Sequence, residues 1–194
     1  MDVACPGKPC CPLYTEGNKS RKGCIALKRA MGWIFSLALL LLCLAPAALA
    51  ETAEPRYDAS REVAAYLTEA GRNYRLDIST DDDAFLMTYS PSEAEGLETI
   101  AVGAFVNEEQ ATVMTGALVT PDASDMLKVY QTLEAVNEST SFVRFVYSAS
   151  DGDITARVEL PYVNDGNFGK VVERYVYITA LTVDQNYNEL AALA

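Results

Sequence analysis

Apolar and polar residues recur from residue 58 onward with two periods, one typical of helices and one typical of strands. The segment DASREVAAYLTEAG (58–71) has the helical period and predicts a helix of about three turns, with Asp58 or Ser60 as its N-cap. Four strand-like segments follow, joined in pairs by an acidic and a polar turn. The two antiparallel hairpins are predicted over 73–80 with 84–90 and over 97–106 with 110–119.

Two glycines stand inside the second predicted hairpin. Gly103 and Gly116 each interrupt a run of residues that favour strands. A glycine inside a strand weakens it and often marks a bend or the close approach of another element. We interpret both as positions where a helix packs closely on the sheet.

Helical spacing returns twice in the second half of the chain. The segment DASDMLKVYQTLEAVNEST (122–140) predicts a helix, and Ser124 or Asp122 can cap its start. Its apolar side consists of Met126, Val129, Tyr130, Leu133 and Val136. The segment VVERYVYITALTV (171–183) has strand-like propensity, but its helical period continues to Leu193, over a length that no ordinary strand reaches. We therefore predict one long final helix.

Between these helices, SFVRFVYSASDGDITARVEL (141–160) alternates apolar and polar residues around a predicted Asp151-Gly152 turn. Pairing through that turn sets Arg144 opposite Glu159, on a charged face that also carries Arg157. Opposite charges on a solvated sheet face contribute only some tenths of a kcal/mol. We interpret the charged face as structural rather than as a binding site.

The predicted order is α-β-β-β-β-α-β-β-α. Helices and antiparallel strands joined in this order predict an α+β fold, with an antiparallel sheet and helices packed on it. The wide apolar stripe of the last helix predicts burial on the sheet and contact with a partner or a second protomer. The residues singled out as the candidate partner or dimer surface are Tyr175, Tyr177, Leu181 and Tyr187.

A different pattern precedes these elements. Residues 32–50, GWIFSLALLLLCLAPAALA, contain a short apolar run that follows basic residues and ends in a small-x-small site at Ala48 and Ala50. This order is typical of a secretory signal peptide cleaved after Ala50, and the run is short for a membrane span, which needs about 20 residues. The alternative is a retained anchor. We predict a periplasmic or secreted protein with no membrane span after cleavage.

The predicted cleavage divides the chain into a leader, 1–50, and a single domain, 51–194. Residues 1–30 have neither the helical nor the strand period. We interpret them either as sequence that precedes the true start codon, because the start was assigned too early, or as part of a long leader. All five cysteines lie in the leader, and the chain has no histidine. Residues 51–194 carry 25 acidic and 9 basic residues, a net charge of −16. Such a surface repels nucleic acid, which we exclude as a partner.

The composition of 51–194 limits the chemistry open to the protein. Without imidazole or thiol it cannot form a Ser-His-Asp triad, a thiol nucleophile or a zinc site of the usual ligands. Paired carboxylates remain, and the alternative function is a carboxylate-dependent glycoside hydrolase or a carbohydrate-binding protein. Acidic turns at 81–83 and around Asp151, Asp153 and Asp165 offer oxygen ligands for calcium but lack the EF-hand spacing. We interpret them as solvated and predict no cofactor.

Several local features resemble the YbjN family. They are a helix ending near Asn137, a strand reading FVRF (142–145), an Asp-Gly-Asp turn, and a final helix ending DQNYNELAAL (184–193). The resemblance implies a fold related to that of the small chaperones of type III secretion. Members of the family are usually described as sensory transduction regulators, so it also implies a regulatory role. It also implies dimers that bind an extended partner segment, and it supplies no catalytic residues.

The leading hypothesis is therefore a non-enzymatic exported protein of YbjN-like type that recognises a protein or peptide partner, with a homodimer formed through the last helix. An exposed strand edge can accept an extended peptide, and tyrosines offer amphipathic contacts. Besides the tyrosines of the last helix, those that could make such contacts with a partner are Tyr130, Tyr147 and Tyr162.

Overall fold

The computed structural model describes residues 54–194, and the predicted cleavage site at Ala48 and Ala50 lies outside the described residues. Three helices and six strands follow one another in the predicted order, which confirms the α+β fold. The helices are α1 (Asp58–Glu69), α2 (Met126–Ser139) and α3 (Phe168–Ala191). The strands are β1 (Arg75–Asp77), β2 (Asp83–Tyr89), β3 (Ile100–Val106), β4 (Gln110–Thr115), β5 (Arg144–Ser148) and β6 (Asp153–Pro161).

The six strands form one antiparallel sheet in the order β1-β2-β3-β4-β6-β5. Helix α3 packs across β3, β4 and β6, α1 packs on α3, and α2 contacts β5 and α3. All three helices therefore lie on one face of the sheet. The core fills the space between, and its strand residues share one side of the register, as in Phe85, Ala104, Val113 and Val158.

The ambiguous segment 171–183 is helical, as its length predicted. Val172, Val176 and Val183 are fully buried between α3 and the sheet. Branched side chains have a slightly lower helix propensity, but burial of an apolar stripe stabilises the helix by more than that difference. Packing thus overrides the strand-like local propensity.

The predicted helix caps are wrong by a few residues. Tyr57 is the N-cap of α1 and supplies no side-chain cap, while Ser60 is buried inside the helix with no partner for its hydroxyl. The N-cap of α2 is Asp125, whose carboxylate accepts a hydrogen bond from the Lys128 amide. Asp122 instead accepts two hydrogen bonds from Ser124 in the preceding loop. Several adjacent residues before α2 have side chains that can cap a helix, so the sequence alone does not show which of them is the N-cap.

The predicted register of the last hairpin is wrong by two residues. Arg144 lies opposite Arg157, not opposite Glu159, because a four-residue loop joins the strands instead of a two-residue turn. The loop closes through a hydrogen bond of 2.7 Å from the Gly152 amide to the Ser148 carbonyl, with Gly152 at a φ of +80°. A shift by two residues keeps each side chain on its predicted face. The core face is therefore as predicted, but the cross-strand pairs are not.

The close approach expected at Gly103 occurs at a different glycine. Gly103 lies on the face away from the helices, where a Cβ would stand 2.8 Å from a ring carbon of Phe105. The close helix contact is at Gly169 of α3, where a Cβ would lie 2.6 Å from Tyr66 Cβ and 2.7 Å from the Glu62 carbonyl oxygen. The interpretation of Gly103 as a helix-packing position is therefore wrong, and Gly169 fills that role for α1 against α3.

Candidate interaction surfaces

The four residues proposed as a partner or dimer surface do not share one face of α3. Tyr177 and Leu181, one turn apart, are exposed at 54% and 41%. Tyr175 lies on another flank of the helix, half-buried, with its ring 5.7 Å from that of Phe142 in an edge-to-face contact. Tyr187 is half-buried against the core. The structure therefore brings Tyr177 and Leu181 together and separates Tyr175 and Tyr187 from them.

The outward side of α3 forms a stripe that we call the α3 crest. Its members recur at helical spacing: Lys170, Arg174, Tyr177, Ile178, Leu181, Gln185 and Glu189. All are exposed except Ile178, which is half-buried. The apolar residues occupy the middle of the stripe, the cations lie toward the helix start, and Glu189 lies in the last turn. Sequence reasoning missed the charged members, although the same period that identified the buried side also defines the opposite side.

The two cations of the α3 crest differ from most other basic residues of the protein. Within residues 54–194, Lys170 and Arg174 make no hydrogen bond and no ion pair. Lys128 and Arg144 bind backbone carbonyls at helix ends. The ion pairs are Arg56–Asp83, Arg61–Asp58, Arg72–Glu173 and Arg157–Glu159. Two cations without a partner on a strongly acidic protein mark the crest as chemically distinct.

The sheet face opposite the helices is a second candidate surface, which we call the open sheet face. No described helix packs on it. Its register aligns Leu86, Gly103, Met114 and Arg157 across four strands. Phe105 lies in the next row, and its ring occupies the space above Gly103. Phe105 and Met114 are half-buried and Leu86 is buried, so apolar side chains form the centre of this face. Threonines and the charged residues of the last hairpin also lie on it.

The charged residues of the last hairpin lie on this open sheet face, and each has an internal partner. The Arg144 guanidinium donates to the carbonyls of Asn137 and Thr140, where the partial negative charge at the end of α2 favours a cation. Arg157 pairs with Glu159 on the same strand. These contacts support the structural interpretation of the charged face, although the partners differ from those predicted.

Asn137 protects the outer edge of the sheet. Its side-chain amide donates to the Phe145 carbonyl at 2.9 Å, and its side-chain oxygen accepts from the Phe145 amide at 2.8 Å. The side chain thus satisfies both outward backbone groups of Phe145, in the first half of β5. At the opposite edge β1 has only three residues, and very short edge strands resist pairing with other chains. The edges therefore offer little room for the peptide addition that the sequence suggested.

Three buried carboxylates have structural partners. Asp83 is fully buried and accepts from the backbone amide and the guanidinium of Arg56, each at 2.7 Å, and this contact raises the pKa of Arg56. The prediction that the acidic turn at 81–83 is merely solvated is therefore wrong for Asp83. Asp153 accepts from the Thr120 hydroxyl. Asp184, on α3, binds the loop between β2 and β3 and is only 6% exposed.

The contacts of Asp184 fix that loop in place. Its carboxylate accepts from the Ser92 hydroxyl at 2.6 Å and from the amides of Ser92, Glu93 and Ala94 at 2.9 Å each. These hydrogen bonds, that of the Ser92 hydroxyl first, hold the pKa of Asp184 well below its usual range despite burial. Asn188, one turn later, accepts from the Glu95 amide and donates to the Glu93 carbonyl. The carboxylate of Asp184 therefore has a structural role.

The described residues contain no group of three or more His, Cys, Asp or Glu side chains placed to hold a metal ion. The other acids considered for calcium make local contacts. Asp151 accepts from the hydroxyls of Ser148 and Ser150, and Asp165 accepts from the Asn167 amide. None of the helices in residues 54–194 combines the length and the apolar character needed to cross a membrane.

Comparison with known proteins gives one family. The sequence model of the YbjN family, described as "Putative bacterial sensory transduction regulator", matches residues 60–192. The comparison with curated proteins finds no match, and neither does the comparison with solved structures. The matched range begins in α1 and ends after α3, so it includes eight of the nine described elements in full and all of α1 except its first two residues.

Proposed function

We propose that this chain, which belongs to the YbjN family, is an exported, non-enzymatic regulatory protein that binds another protein through the open sheet face. The observation that carries the proposal is the asymmetry of the sheet. Three helices cover one face, while Phe105 and Met114 stand half-buried on the other. Aromatic residues and methionine are enriched in protein interfaces, and methionine adapts its shape to a partner. A partner with an apolar contact surface fits this face.

The buried carboxylates and the sheet edges favour a binding function over catalysis. The buried carboxylates Asp83, Asp153 and Asp184 each hold two parts of the chain together. A catalytic acid or base must instead reach a substrate. Because the sheet edges are short or protected by Asn137, recognition by side chains of the face is favoured over addition of a strand. The signal-peptide pattern supports action outside the cytoplasm.

Export is tested by expressing the full chain in a bacterial host, separating the periplasm and medium from the cytoplasm, and sequencing the N-terminus of the accumulated protein. We expect a protein outside the cytoplasm whose first residue is Glu51. Cytoplasmic accumulation with the leader intact would refute export without affecting the binding proposal.

Binding is tested with a photo-crosslinking amino acid at Met114 and, as the matched control, at exposed Glu134 on α2. We expect the same protein to be captured repeatedly at Met114 and not at Glu134. Capture should be lost when Thr112, on the same face, is replaced by Arg, while circular dichroism shows an unchanged fold. Equal capture at both positions, or capture that Thr112→Arg leaves intact, would refute the open sheet face as the binding surface.

A further inference from the structure

We propose that the partner of the open sheet face is a cationic protein, which places an apolar side chain against Phe105 and basic side chains against the carboxylates next to it. The inference rests on the proposed function, because it names the chemical class of the partner for the same surface. The carboxylates are those of Asp82, Glu108 and Glu109, which we call the acidic end of the open sheet face.

Phe105 is the apolar residue nearest to this end of the sheet. It is the last residue but one of β3, and its ring occupies the space above Gly103, where a Cβ would lie 2.8 Å from the Cε2 atom of the ring. The ring is half-buried, although none of the described helices packs on this face. An aromatic ring in such a position attracts apolar groups, and it also attracts cations, which bind over its face.

The carboxylates of the acidic end lie close to this ring. Asn107 is two residues after Phe105, which is about 7 Å at about 3.3 Å per residue. Its side-chain amide donates to the Asp82 carboxylate at 3.0 Å, so Asp82 lies beside the end of β3. Glu108 and Glu109 form the turn that follows, and both are exposed. A partner seated on the ring therefore has all three carboxylates within reach of long, flexible lysine or arginine side chains.

The protein supplies no cation that neutralises the acidic end. Residues 76–127, which include β2, β3 and β4, contain eleven acidic residues and no basic one. Arg56 lies at the same end of the sheet, but it pairs with the buried Asp83. None of the ion pairs within residues 54–194 includes a carboxylate of the acidic end. Negative charge thus remains beside an apolar ring, and a partner with basic residues around an apolar contact complements both.

The charge of the whole domain favours the same class of partner. The net charge of −16 over residues 51–194 attracts cationic proteins over a long range and repels acidic ones. Such attraction mainly increases the rate of encounter, while the local charges at the rim of a contact decide which surface is used. The acidic end should therefore direct a cationic partner to Phe105 rather than to other acidic parts of the protein.

The sign of the charge is tested by changing the turn after β3 while the partner is captured by p-benzoylphenylalanine at Met114. Glu108→Gln with Glu109→Gln should lower capture by about fivefold, because it removes two attractive charges at the rim of the contact. Glu108→Lys with Glu109→Lys should lower it by about twentyfold, because attraction becomes repulsion. Raising the sodium chloride concentration from about 50 to about 500 mM should weaken capture more in the wild type than in the glutamine variant.

The matched control changes the net charge by the same amount at the opposite end of the sheet. Glu93 and Glu95 are exposed in the loop between β2 and β3. Replacing both by Gln or both by Lys should alter capture by less than about twofold, because screening limits their effect over that distance. Circular dichroism and the melting temperature should show that the variants at Glu108 and Glu109 stay folded, since the Asn107 side-chain oxygen and not these carboxylates holds the turn.

Capture that increases with the lysine pair at 108 and 109 would show an acidic partner and overturn the inference. Equal effects at both ends of the sheet would overturn it as well, because net charge alone would then explain them. If capture is lost in Thr112→Arg but unchanged in the variants at Glu108 and Glu109, the inference fails and the proposed function stands. If the wild type captures nothing at Met114, the proposed function fails and this inference fails with it.

Discussion

The carboxylate of Asp184 connects the middle of α3 to the loop between β2 and β3, and its removal tests how strongly the fold depends on this contact. The change is Asp184→Ala. It leaves four donors without their acceptor, namely the hydroxyl of Ser92 and the amides of Ser92, Glu93 and Ala94. The Ala94 residue is buried, so water does not readily replace the lost acceptor there.

The expected cost follows from these contacts. A hydrogen bond to a charged group contributes about 1.5–3 kcal/mol, and four of them oppose a penalty of several kcal/mol for burying the carboxylate. We therefore expect Asp184→Ala to lower the free energy of unfolding by about 3–5 kcal/mol. Asp184→Asn keeps the shape and one acceptor oxygen and should cost about 2–3 kcal/mol. Since domains of this size are stable by about 5–15 kcal/mol, both changes are measurable by urea denaturation.

The dependence on pH distinguishes the carboxylate from a neutral contact. Because the pKa of Asp184 is lowered in the folded protein, its stabilisation is complete above the unfolded pKa of about 3.9 and is lost as pH falls below that value. The difference in the free energy of unfolding between the wild type and Asp184→Asn should be constant from pH 7 to 5. It should then shrink by up to about 1.4 kcal/mol for each pH unit below 4.

The matched control is Asp122→Asn. Asp122 also accepts from the amide and the hydroxyl of a serine, Ser124, and its pKa is lowered by those bonds, but it is exposed. We expect a much smaller loss of stability than at Asp184, because water replaces the lost contacts. Equal losses at the two positions, or an Asp184→Asn difference that stays unchanged down to pH 3, would refute the argument from buried charged hydrogen bonds.

Three further substitutions test other parts of the structure by urea denaturation. Asn137→Ala exposes the backbone of Phe145 at the edge of β5 and should cost about 1–3 kcal/mol and increase aggregation; an unchanged stability would contradict the edge-protecting role. Gly169→Ala should destabilise by about 1–3 kcal/mol despite the better helix propensity of alanine, since its Cβ would overlap Tyr66; a more stable variant would show that the two helices can separate without cost. Thr179→Val should stabilise by about 1 kcal/mol, because the buried hydroxyl has no partner, and a destabilised variant would mean that the hydroxyl is satisfied in solution.

The order and type of the elements could be predicted because each is encoded locally. The last segment could be predicted as a helix despite its strand-like residues, since apolar residues that recur at helical spacing over that length form one buried side only in a helix. The faces of the last hairpin were also predictable, because side chains alternate along a strand. Its register was not, because both Arg144–Glu159 and Arg144–Arg157 keep the same faces and only the loop length separates them.

Contacts between distant parts of the chain were the least predictable features. Nothing near Asp83 in the sequence shows that Arg56 reaches it, and nothing near Asp184 shows that the loop at Ser92 folds onto it. The exposure of the four residues predicted as a surface on α3 was only partly predictable for the same reason. Tyr177 and Leu181 are outward, but the positions of Tyr175 and Tyr187 depend on which neighbours cover the flanks of the helix.

The residues that suggested the family are mainly residues that maintain the architecture. Asn137 protects the sheet edge, and Asp184 holds a loop on α3. Features of this kind identify a fold, and a fold can support many functions. Differences in function among proteins with these features must therefore lie on surfaces that the motifs do not include. In this protein we propose the open sheet face around Met114 as such a surface. On the α3 crest, Lys170 and Arg174 are without partners among the described residues.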